Sequence, residues 1–353
     1  MKTNTKYTGY IGTYTKGNSK GIYSFKLDVE AAIISDIKEV AQMENPTYLN
    51  ISKNNHYLYA VNKKGEVGGV SSFSIDPVTH ELTTINSQML PGSSPCHVSV
   101  DSSGKLLFSA NYHKGTVESY LIDSVDGSIR PPSSVVQHEG HGPDPRQEKP
   151  HVHFAGVTPD EKFLAVVDLG IDALITYEIA KDGKMAEKSR LNVSAGSGPR
   201  HLTFHQNQKI AYLMTEFSSE VIVLEYNERD GSFLVVQTIS TLPDNFAENN
   251  QGSAIHISRD GLFVYAGNRG HNSIAVFGVD QDTGTLHFVE HVSTAGDWPR
   301  DFEIDPSGKF IVASNQNSSN LVLFARDQET GRLTLLQSDV EIPDPVCVKF
   351  LHY

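Results

Sequence analysis

The feature that most constrains the fold is a sequence phrase that recurs about seven times, at intervals of roughly 50 residues. In each copy a short apolar stretch, usually opened by proline, is followed by a turn of Asp, Ser or Gly type. A second apolar stretch then ends in Asn or Asp, and a third stretch of aromatic and β-branched residues completes the phrase. The clearest copies begin at Pro299 and at Pro95. Because short apolar stretches joined by tight turns are typical of strands, the period indicates stacked β-sheet units.

A closed ring is the architecture that such a period favours. The repeat predicts an all-β protein, a seven-bladed β-propeller with four antiparallel strands per blade. The chain begins with a second strand, residues 7–13, and ends with a lone first strand at Pro345–Phe350. The C-terminal strand would therefore complete the N-terminal blade, which closes the ring and removes exposed sheet edges. We expect residues 1–353 to form a single domain.

Composition excludes several classes of partner. The formal net charge of −13 argues against binding to nucleic acid or to a membrane surface, because both favour clustered Lys and Arg. Cys96 and Cys347 fall in repeats that are not adjacent, so we expect no disulfide. The start of the chain has no apolar leader and no 18-residue apolar run occurs, so we expect a cytoplasmic protein. The sequence leaves the oligomeric state open.

Two insertions interrupt the period, at residues 137–150 and 242–252. Both are rich in Pro, Gly and polar residues, and each precedes the first strand of a repeat. We expect them to be ordered loops, which on a rigid scaffold are often functional.

Two sets of equivalent positions should meet at the axis of the ring. The residues that follow the opening position of each repeat are Thr47, Cys96, His153, Arg200, Ser253, Arg300 and Val346. The residues that follow each second strand are Tyr14, Lys63, Tyr112, Leu169, Glu216, Arg269 and Gln316. Small and apolar residues are expected at a crowded axis, yet consecutive repeats carry ionisable ones. These residues predict a polar pocket at the mouth of the channel: His153, Arg200, Glu216, Arg269 and Arg300.

The chemistry of these residue types favours hydrolysis of an ester or lactone that carries an anionic group. Arginine binds carboxylate or phosphate through two parallel hydrogen bonds and can stabilise the oxyanion formed when a carbonyl is attacked. Either Glu216 or His153 can accept a proton from water, and the sequence does not decide between them. A structural alternative is that Glu216 only forms a buried ion pair with Arg200 or Arg269.

A metal site is a second alternative, suggested by a group of possible ligands in and after the first insertion: His138, His141, His151, His153, Asp144 and Glu148. Their spacing matches no zinc signature, and the segment is rich in proline rather than helical. The chain also has no Gly-rich phosphate loop and no Gly-x-Ser-x-Gly motif. We therefore predict an enzyme without a metal or other cofactor.

Motifs along nearly the whole chain resemble those of the seven-bladed propeller lactonases. They are YIGTYT (10–15), GPDPRQE (142–148), HVH (151–153), GPRH (198–201) and GNRGHNSI (267–274). This family includes propeller-type 6-phosphogluconolactonases and the fungal carboxy-muconate lactonizing enzyme. Its proposed active-site residues are one histidine, two arginines and one glutamate, which by motif match His153, Arg200, Arg269 and Glu216. The resemblance implies hydrolysis of 6-phosphogluconolactone without a cofactor.

Taken together, the patterns predict a lactonase that acts on a small anionic substrate. The predicted catalytic residues are His153, Glu216, Arg200 and Arg269. The predicted substrate-binding residues are Arg300, Tyr112, His151 and Arg146. Two other functions remain open: a cycloisomerase that closes a carboxy-muconate-type acid into a lactone, and a propeller without catalytic activity that serves as an interaction platform.

Overall fold

The computed structural model describes residues 5–353, and every regular element in that range is a β-strand. Twenty-eight strands form seven separate four-stranded sheets, and all neighbouring strands within a sheet are antiparallel. The predicted seven-bladed β-propeller is confirmed. The predicted domain also includes residues 1–4, which lie outside the described residues. No helix between residues 5 and 353 is long and apolar enough to cross a membrane.

The blades follow the order of the chain, and the strands of each blade are named from the innermost to the outermost. Blade 1 contains β28 (Pro345–Phe350), β1 (Lys6–Thr13), β2 (Gly21–Asp28) and β3 (Ile33–Gln42). Blade 2 contains β4 (Leu49–Ile51), β5 (Tyr57–Lys64), β6 (Val67–Ile75) and β7 (Leu82–Pro91). Blade 3 contains β8 (His97–Val100), β9 (Leu106–Asn111), β10 (Thr116–Ile122) and β11 (Ile129–Gln137). Blade 4 contains β12 (Val152–Val157), β13 (Phe163–Asp168), β14 (Ala173–Ile179) and β15 (Met185–Asn192).

The last three blades have the same organisation. Blade 5 contains β16 (Pro199–Phe204), β17 (Ile210–Thr215), β18 (Glu220–Asn227) and β19 (Ser232–Ser240). Blade 6 contains β20 (Gln251–Ile257), β21 (Phe263–Arg269), β22 (Ser273–Val279) and β23 (Leu286–Ser293). Blade 7 contains β24 (Pro299–Ile304), β25 (Phe310–Asn315), β26 (Asn320–Arg326) and β27 (Leu333–Glu341).

The ring is closed by strand pairing between the two ends of the chain. β28 pairs with β1 in antiparallel register, with Val348 opposite Ile11. Each innermost strand also contacts the innermost strand of the next blade, and β24 of blade 7 contacts β28 of blade 1. The composite blade predicted from the two incomplete repeats is thus confirmed, and it covers edges that would otherwise be free to pair with other chains.

The core consists of seven apolar clusters, one at each interface between adjacent blades. At the interface of blades 7 and 1, for example, Phe310 and Leu323 pack with Phe25 and Ile11. A second strand such as β17 is buried at every position, because its two faces are covered by the two neighbouring blades. This double coverage explains why the strand sequences alternate only partly between apolar and polar residues.

Tight turns join the third and fourth strands at the predicted Asp-Gly and Thr-Gly pairs. Gly331 has a φ of +72°, a conformation that residues with a side chain rarely adopt. A Cβ atom at this position would lie 2.2 Å from Cδ1 of Phe263 in the preceding blade. Glycine is therefore required here both by the turn and by the close packing of adjacent blades.

Some predicted boundaries are wrong by a few residues. The first strands expected at Pro46 and Pro95 begin later, with β4 at Leu49 and β8 at His97. In blade 2 the reason is local, since the N–H of Thr47 donates to the carbonyl of Asn45 at 2.7 Å instead of to β5. The insertions are loops, as predicted, but their ends belong to strands: residue 137 ends β11, and residues 251 and 252 begin β20. Both cysteines are free, as predicted.

Candidate active site

The side chains that point to the axis are carried by irregularities at the start of the innermost strands. The pairing of β12 with β13 skips from Val152 to Phe154, so His153 has no partner in the ladder. The pairing of β16 with β17 skips Arg200, and that of β24 with β25 skips Arg300, in the same way. Such bulges redirect one side chain and are common next to active sites. The same interruption thus occurs at each of these three predicted site residues.

Most of the predicted pocket residues converge on one cavity at the channel mouth. The cavity has a volume of about 440 Å³, which is within the usual range for small-molecule sites. Its walls include His153, Glu216, Arg269, Arg300 and Tyr112. Arg200 lies just beneath, where it lines a smaller space together with His153 and Arg300. Five different blades contribute these six side chains.

A carboxylate between two guanidinium groups is the centre of this site. Oε2 of Glu216 accepts a hydrogen bond from Nη2 of Arg269 at 2.8 Å and lies 3.2 Å from Nε of Arg200. Nη2 of Arg269 also donates to the carbonyl oxygen of Gly252 at 2.7 Å. The ion pair considered as a structural alternative is therefore present, and it fixes the position of both arginines. Nε and Nη1 of Arg200 and Nε of Arg269 nevertheless remain without a hydrogen-bond acceptor.

Electrostatics keep Glu216 ionised. Burial by itself would raise the pKa of Glu216, but the charges of Arg269 and Arg200 bring that pKa below its usual value. Burial, followed by the charges of Arg269 and Arg300, lowers the pKa of Arg200. A guanidinium group remains protonated at neutral pH despite such a shift. The three arginines therefore outnumber the one carboxylate, so the site carries an excess of positive charge.

His153 is a neutral base candidate within this positive site. Its side chain is buried, and its Nδ1 atom has no hydrogen-bond partner. Burial, followed by the charges of Arg200 and Arg300, lowers the pKa of His153 well below its ordinary value. The imidazole is thus uncharged at neutral pH, the form that can accept a proton.

Not all predicted substrate-binding residues reach the cavity. Tyr112 lines it, and its ring stacks on His151 with the ring centroids 4.1 Å apart. His151 lies behind Tyr112, where Nδ1 donates to the carbonyl oxygen of Tyr112 at 2.8 Å. Arg146 is exposed, with its guanidinium carbon 3.7 Å from the ring centroid of Phe217. Neither His151 nor Arg146 belongs to the cavity wall, so the geometry does not support direct substrate contact for these two residues.

His138, one of the histidines weighed as metal ligands, has other partners. His138 makes contacts through both ring nitrogens, to Oδ2 of Asp168 at 2.7 Å and to the hydroxyl of Tyr177 at 2.9 Å. Within residues 5–353, no group of three or more His, Cys, Asp and Glu side chains is arranged to hold a metal ion. His138 therefore links the first insertion loop to blade 4.

Trp298 does not line the cavity, but it lies beside the site residue Arg269, and the sequence analysis assigned it no role. It is the only tryptophan of the chain, and it directly precedes the opening proline of blade 7. Its φ of +66° is unusual for a bulky side chain, and such strain is concentrated at functional sites. The guanidinium carbon of Arg269 lies 5.6 Å from the centroid of the Trp298 ring. A single tryptophan at a repeat junction was the signal that could have identified it.

The opposite wall of the cavity was also missed as a site. It includes Tyr14 and Lys63, which belong to the aligned ring positions but were assigned no role, and Lys16, which lies outside the repeat pattern. No motif marks these lysines, because their approach to the cavity depends on the curvature of the ring.

Comparisons with known proteins agree on one family. The family model described as "Lactonase, 7-bladed beta-propeller" matches residues 8–350. The chain is 54% identical over 348 residues, 99% of each protein, to a Bacillus subtilis protein named 6-phosphogluconolactonase. A Bacteroides fragilis structure described as a putative 6-phosphogluconolactonase matches with a TM-score of 0.91 and 35% identity, covering 99% of both chains. The structure of a Pseudomonas aeruginosa periplasmic gluconolactonase matches with a TM-score of 0.93 and 33% identity, covering 98% of this chain and 99% of the other.

Proposed function

Because the chain belongs to the family of seven-bladed β-propeller lactonases, we propose that it hydrolyses a sugar lactone, 6-phosphogluconolactone, to 6-phosphogluconate. The oxygen of water adds to the lactone carbonyl, the bond between that carbon and the ring oxygen breaks, and the ring oxygen takes up a proton. This reaction needs a base, a group that stabilises the oxyanion and a means to hold an anionic substrate. It belongs to the oxidative pentose phosphate pathway, which fits a cytoplasmic enzyme.

His153 is the general base in this proposal. It is neutral, it faces the cavity, and its own hydrogen-bonding capacity is not used up by the protein. Burial is the main cause of the low pKa of His153, and the charges of Arg200 and Arg300 add to it. The negative charge that develops on the carbonyl oxygen offsets the charge of the arginines and so raises this pKa during the reaction. His153 then takes a proton from water and returns it to the ring oxygen as the carbon–oxygen bond breaks.

Glu216 has a different role, as the counter-ion that positions Arg200 and Arg269. Oε2 of Glu216 already lies against Nη2 of Arg269 and Nε of Arg200, so this oxygen is not free to take a proton from water, whereas Nδ1 of His153 has no partner. The donors of Arg200 and Arg269 that have no acceptor in the protein are available to the oxyanion that forms at the carbonyl. The single observation that carries the proposal is this combination of a neutral histidine with two arginines fixed by one carboxylate.

A coupled assay with freshly generated 6-phosphogluconolactone tests the proposal. The protein should accelerate hydrolysis well above the spontaneous rate. The variant His153→Asn should lower kcat by about 100-fold or more, because the base is lost while the arginines remain. The matched control is His141→Asn, since His141 is exposed and lies outside the cavity wall.

Three outcomes would contradict the proposal. One is an unchanged kcat in the His153 variant, which would exclude this residue as the base. Another is that 6-phosphogluconolactone is not hydrolysed faster than in buffer. A third is conversion of a carboxy-muconate-type acid to a lactone in the absence of lactone hydrolysis, which would identify the chain as a cycloisomerase.

A further inference from the structure

Both walls of the active-site cavity carry positively charged side chains, but only one wall also carries a carboxylate that pairs with them. On the wall formed by blades 5 and 6, the charges of Arg200 and Arg269 are partly offset by Glu216. On the opposite wall, Lys16 and Lys63 come from blades 1 and 2. These two lysines take no part in the catalytic assignments made above.

Three cations that line the cavity, the two lysines and Arg300 of blade 7, have no carboxylate partner. In the part of the chain from residue 5 to 353, no Asp or Glu oxygen lies within 4.0 Å of the charged nitrogens of Lys16, Lys63 or Arg300. This is notable in a protein whose net charge is −13, because acidic residues outnumber basic ones over the chain as a whole. Unpaired cations that face one cavity create a local positive potential and attract an anion.

The ring of Tyr14 contacts two of these cations. Nζ of Lys16 lies 4.6 Å from the centroid of the Tyr14 ring, and the guanidinium carbon of Arg300 lies 5.4 Å from the same centroid. The electron-rich face of an aromatic ring attracts cations, so Tyr14 stabilises each of these two side chains beside its ring. Lys16 and Arg300 also line the same cavity, so an anion bound there offsets their mutual repulsion.

We propose that Lys16, Lys63 and Arg300 form a phosphate subsite, which makes the enzyme select phosphorylated over unphosphorylated sugar lactones. This inference rests on the proposed lactonase function. In 6-phosphogluconolactone the carbonyl is the first carbon of the sugar and the phosphate is attached to the last. The subsite therefore holds the end of the substrate that is remote from the carbonyl.

The position of Glu216 supports this division of the cavity. Arg200 and Arg269 both lie against Glu216 and are almost fully buried, so a dianionic phosphate placed there would also face that carboxylate. Lys63 is half-buried and Lys16 is exposed, which leaves their ammonium groups accessible from the mouth of the cavity. Phosphate at the lysine wall leaves the donors of the two arginines free for the oxyanion.

The test is a double variant, Lys16→Gln with Lys63→Gln, assayed on 6-phosphogluconolactone and on glucono-1,5-lactone. For the phosphorylated lactone, kcat/KM should fall by about tenfold or more, mainly through KM, because charge-assisted hydrogen bonds are lost. For the unphosphorylated lactone, kcat/KM should remain unchanged. The matched control is Lys20→Gln with Lys64→Gln, since both lysines are exposed and neither lines the cavity.

A binding measurement separates failure of the subsite from failure of the lactonase proposal. Titration calorimetry with inorganic phosphate should show binding to the wild type and to the control, and weaker binding to the Lys16/Lys63 variant. That result supports the subsite even if neither lactone is hydrolysed, an outcome that would overturn the lactonase proposal alone. The subsite is overturned if the variant binds phosphate as the wild type does, or if both lactones lose kcat/KM equally.

Discussion

Two groups of charged side chains lie on the two inner strands of the blades or directly after them, and they differ in whether their buried polar atoms have partners within the protein. The mouth cluster consists of Arg200, Arg269, Arg300 and Glu216, and it retains donors without acceptors. The lower cluster lies deeper, where β24 and β28 continue away from the mouth, and consists of the following residues: Lys349, Asp301, Glu303 and His256. Each cluster is built by several blades around one axis.

The charged side chains of the lower cluster are paired with one another. Nζ of Lys349 lies 3.0 Å from Oε2 of Glu303 and 4.0 Å from Oδ2 of Asp301. The same oxygen of Asp301 accepts a hydrogen bond from the N–H of Val348 at 2.9 Å. Buried donors without acceptors are rare in native proteins and need an explanation, whereas paired charges do not. The comparison therefore teaches that the mouth cluster is arranged for a ligand and the lower cluster for the integrity of the ring.

The largest expected effect is on catalysis, from Arg200→Ala in the mouth cluster. We expect kcat/KM for the lactone to fall by about 1,000-fold, because a donor to the oxyanion is lost. The melting temperature should change little, since Glu216 keeps its 2.8 Å hydrogen bond to Arg269. Steady-state kinetics and calorimetry measure the two quantities, with exposed Arg229→Ala as the control. Full activity with a lower melting temperature would show that both clusters are structural.

The next effect is on stability, from Lys349→Met in the lower cluster. We expect the free energy of unfolding to fall by about 3 kcal/mol, because two largely buried carboxylates lose their closest cation. The kcat of the folded fraction should be unchanged. Urea denaturation and activity assays provide the measurements, with exposed Lys309→Met as the control.

A second variant refines this test of the lower cluster. Adding Glu303→Leu to Lys349→Met removes one of the two carboxylates as well and should recover part of the lost stability. A variant with normal stability but low kcat would assign the lower cluster to catalysis instead. That result would contradict the structural role given to this cluster.

A smaller effect should appear in the pH dependence of the free energy of unfolding, and it comes from the buried residue His97. Burial, followed by the charges of Lys349 and Arg200, lowers the pKa of His97 to about 3. The unfolded chain then binds a proton at His97 below about pH 6.5 while the folded protein does not, so stability is lost as the pH falls. The loss reaches about 1.4 kcal/mol at pH 5.5 for one such histidine.

The variant His97→Phe measures this contribution. Between pH 7.5 and 5.5, its free energy of unfolding should fall by about 1.4 kcal/mol less than that of the wild type. Asp301 does not interfere in this window, because its pKa is lowered in the folded protein and its contribution is lost only as the pH falls below about 4. Identical pH profiles for the variant and the wild type would contradict the assignment of His97 as a buried neutral group. The exposed His141→Gln is the control.

The smallest expected effect concerns Tyr14, under the unpaired cations of the mouth. Tyr14→Leu keeps an apolar side chain but removes the aromatic face near Lys16 and Arg300. We expect kcat/KM for the phosphorylated lactone to fall by about two- to fivefold, which corresponds to a weak cation–π contact. The unphosphorylated lactone should show no change. An equal loss for both substrates would show that Tyr14 acts on the reacting end instead.

The repeat carried much of the prediction of the candidate site. Equivalent positions in a ring must face the axis at similar depth, so aligning the phrases was sufficient to select His153, Arg200 and Glu216. His151 and Arg146 were predicted from the motifs of the lactonase resemblance and not from this alignment, and neither lines the cavity. The alignment passed over Lys16, which reaches the cavity from a loop of blade 1.

What the sequence by itself determined was the number of blades, the order of their strands and the closure of the ring. These follow from local signals, namely apolar stretches, turn glycines and two incomplete repeats. Each of these signals lies within a short segment of sequence, so it can be recognised without knowing which distant residues are in contact. Only the tertiary structure decided the direction of each side chain. A bulge turns His153, Arg200 and Arg300 out of the ladder toward the axis. The ion pairs that these side chains form depend on distances between blades, and no single strand encodes those distances.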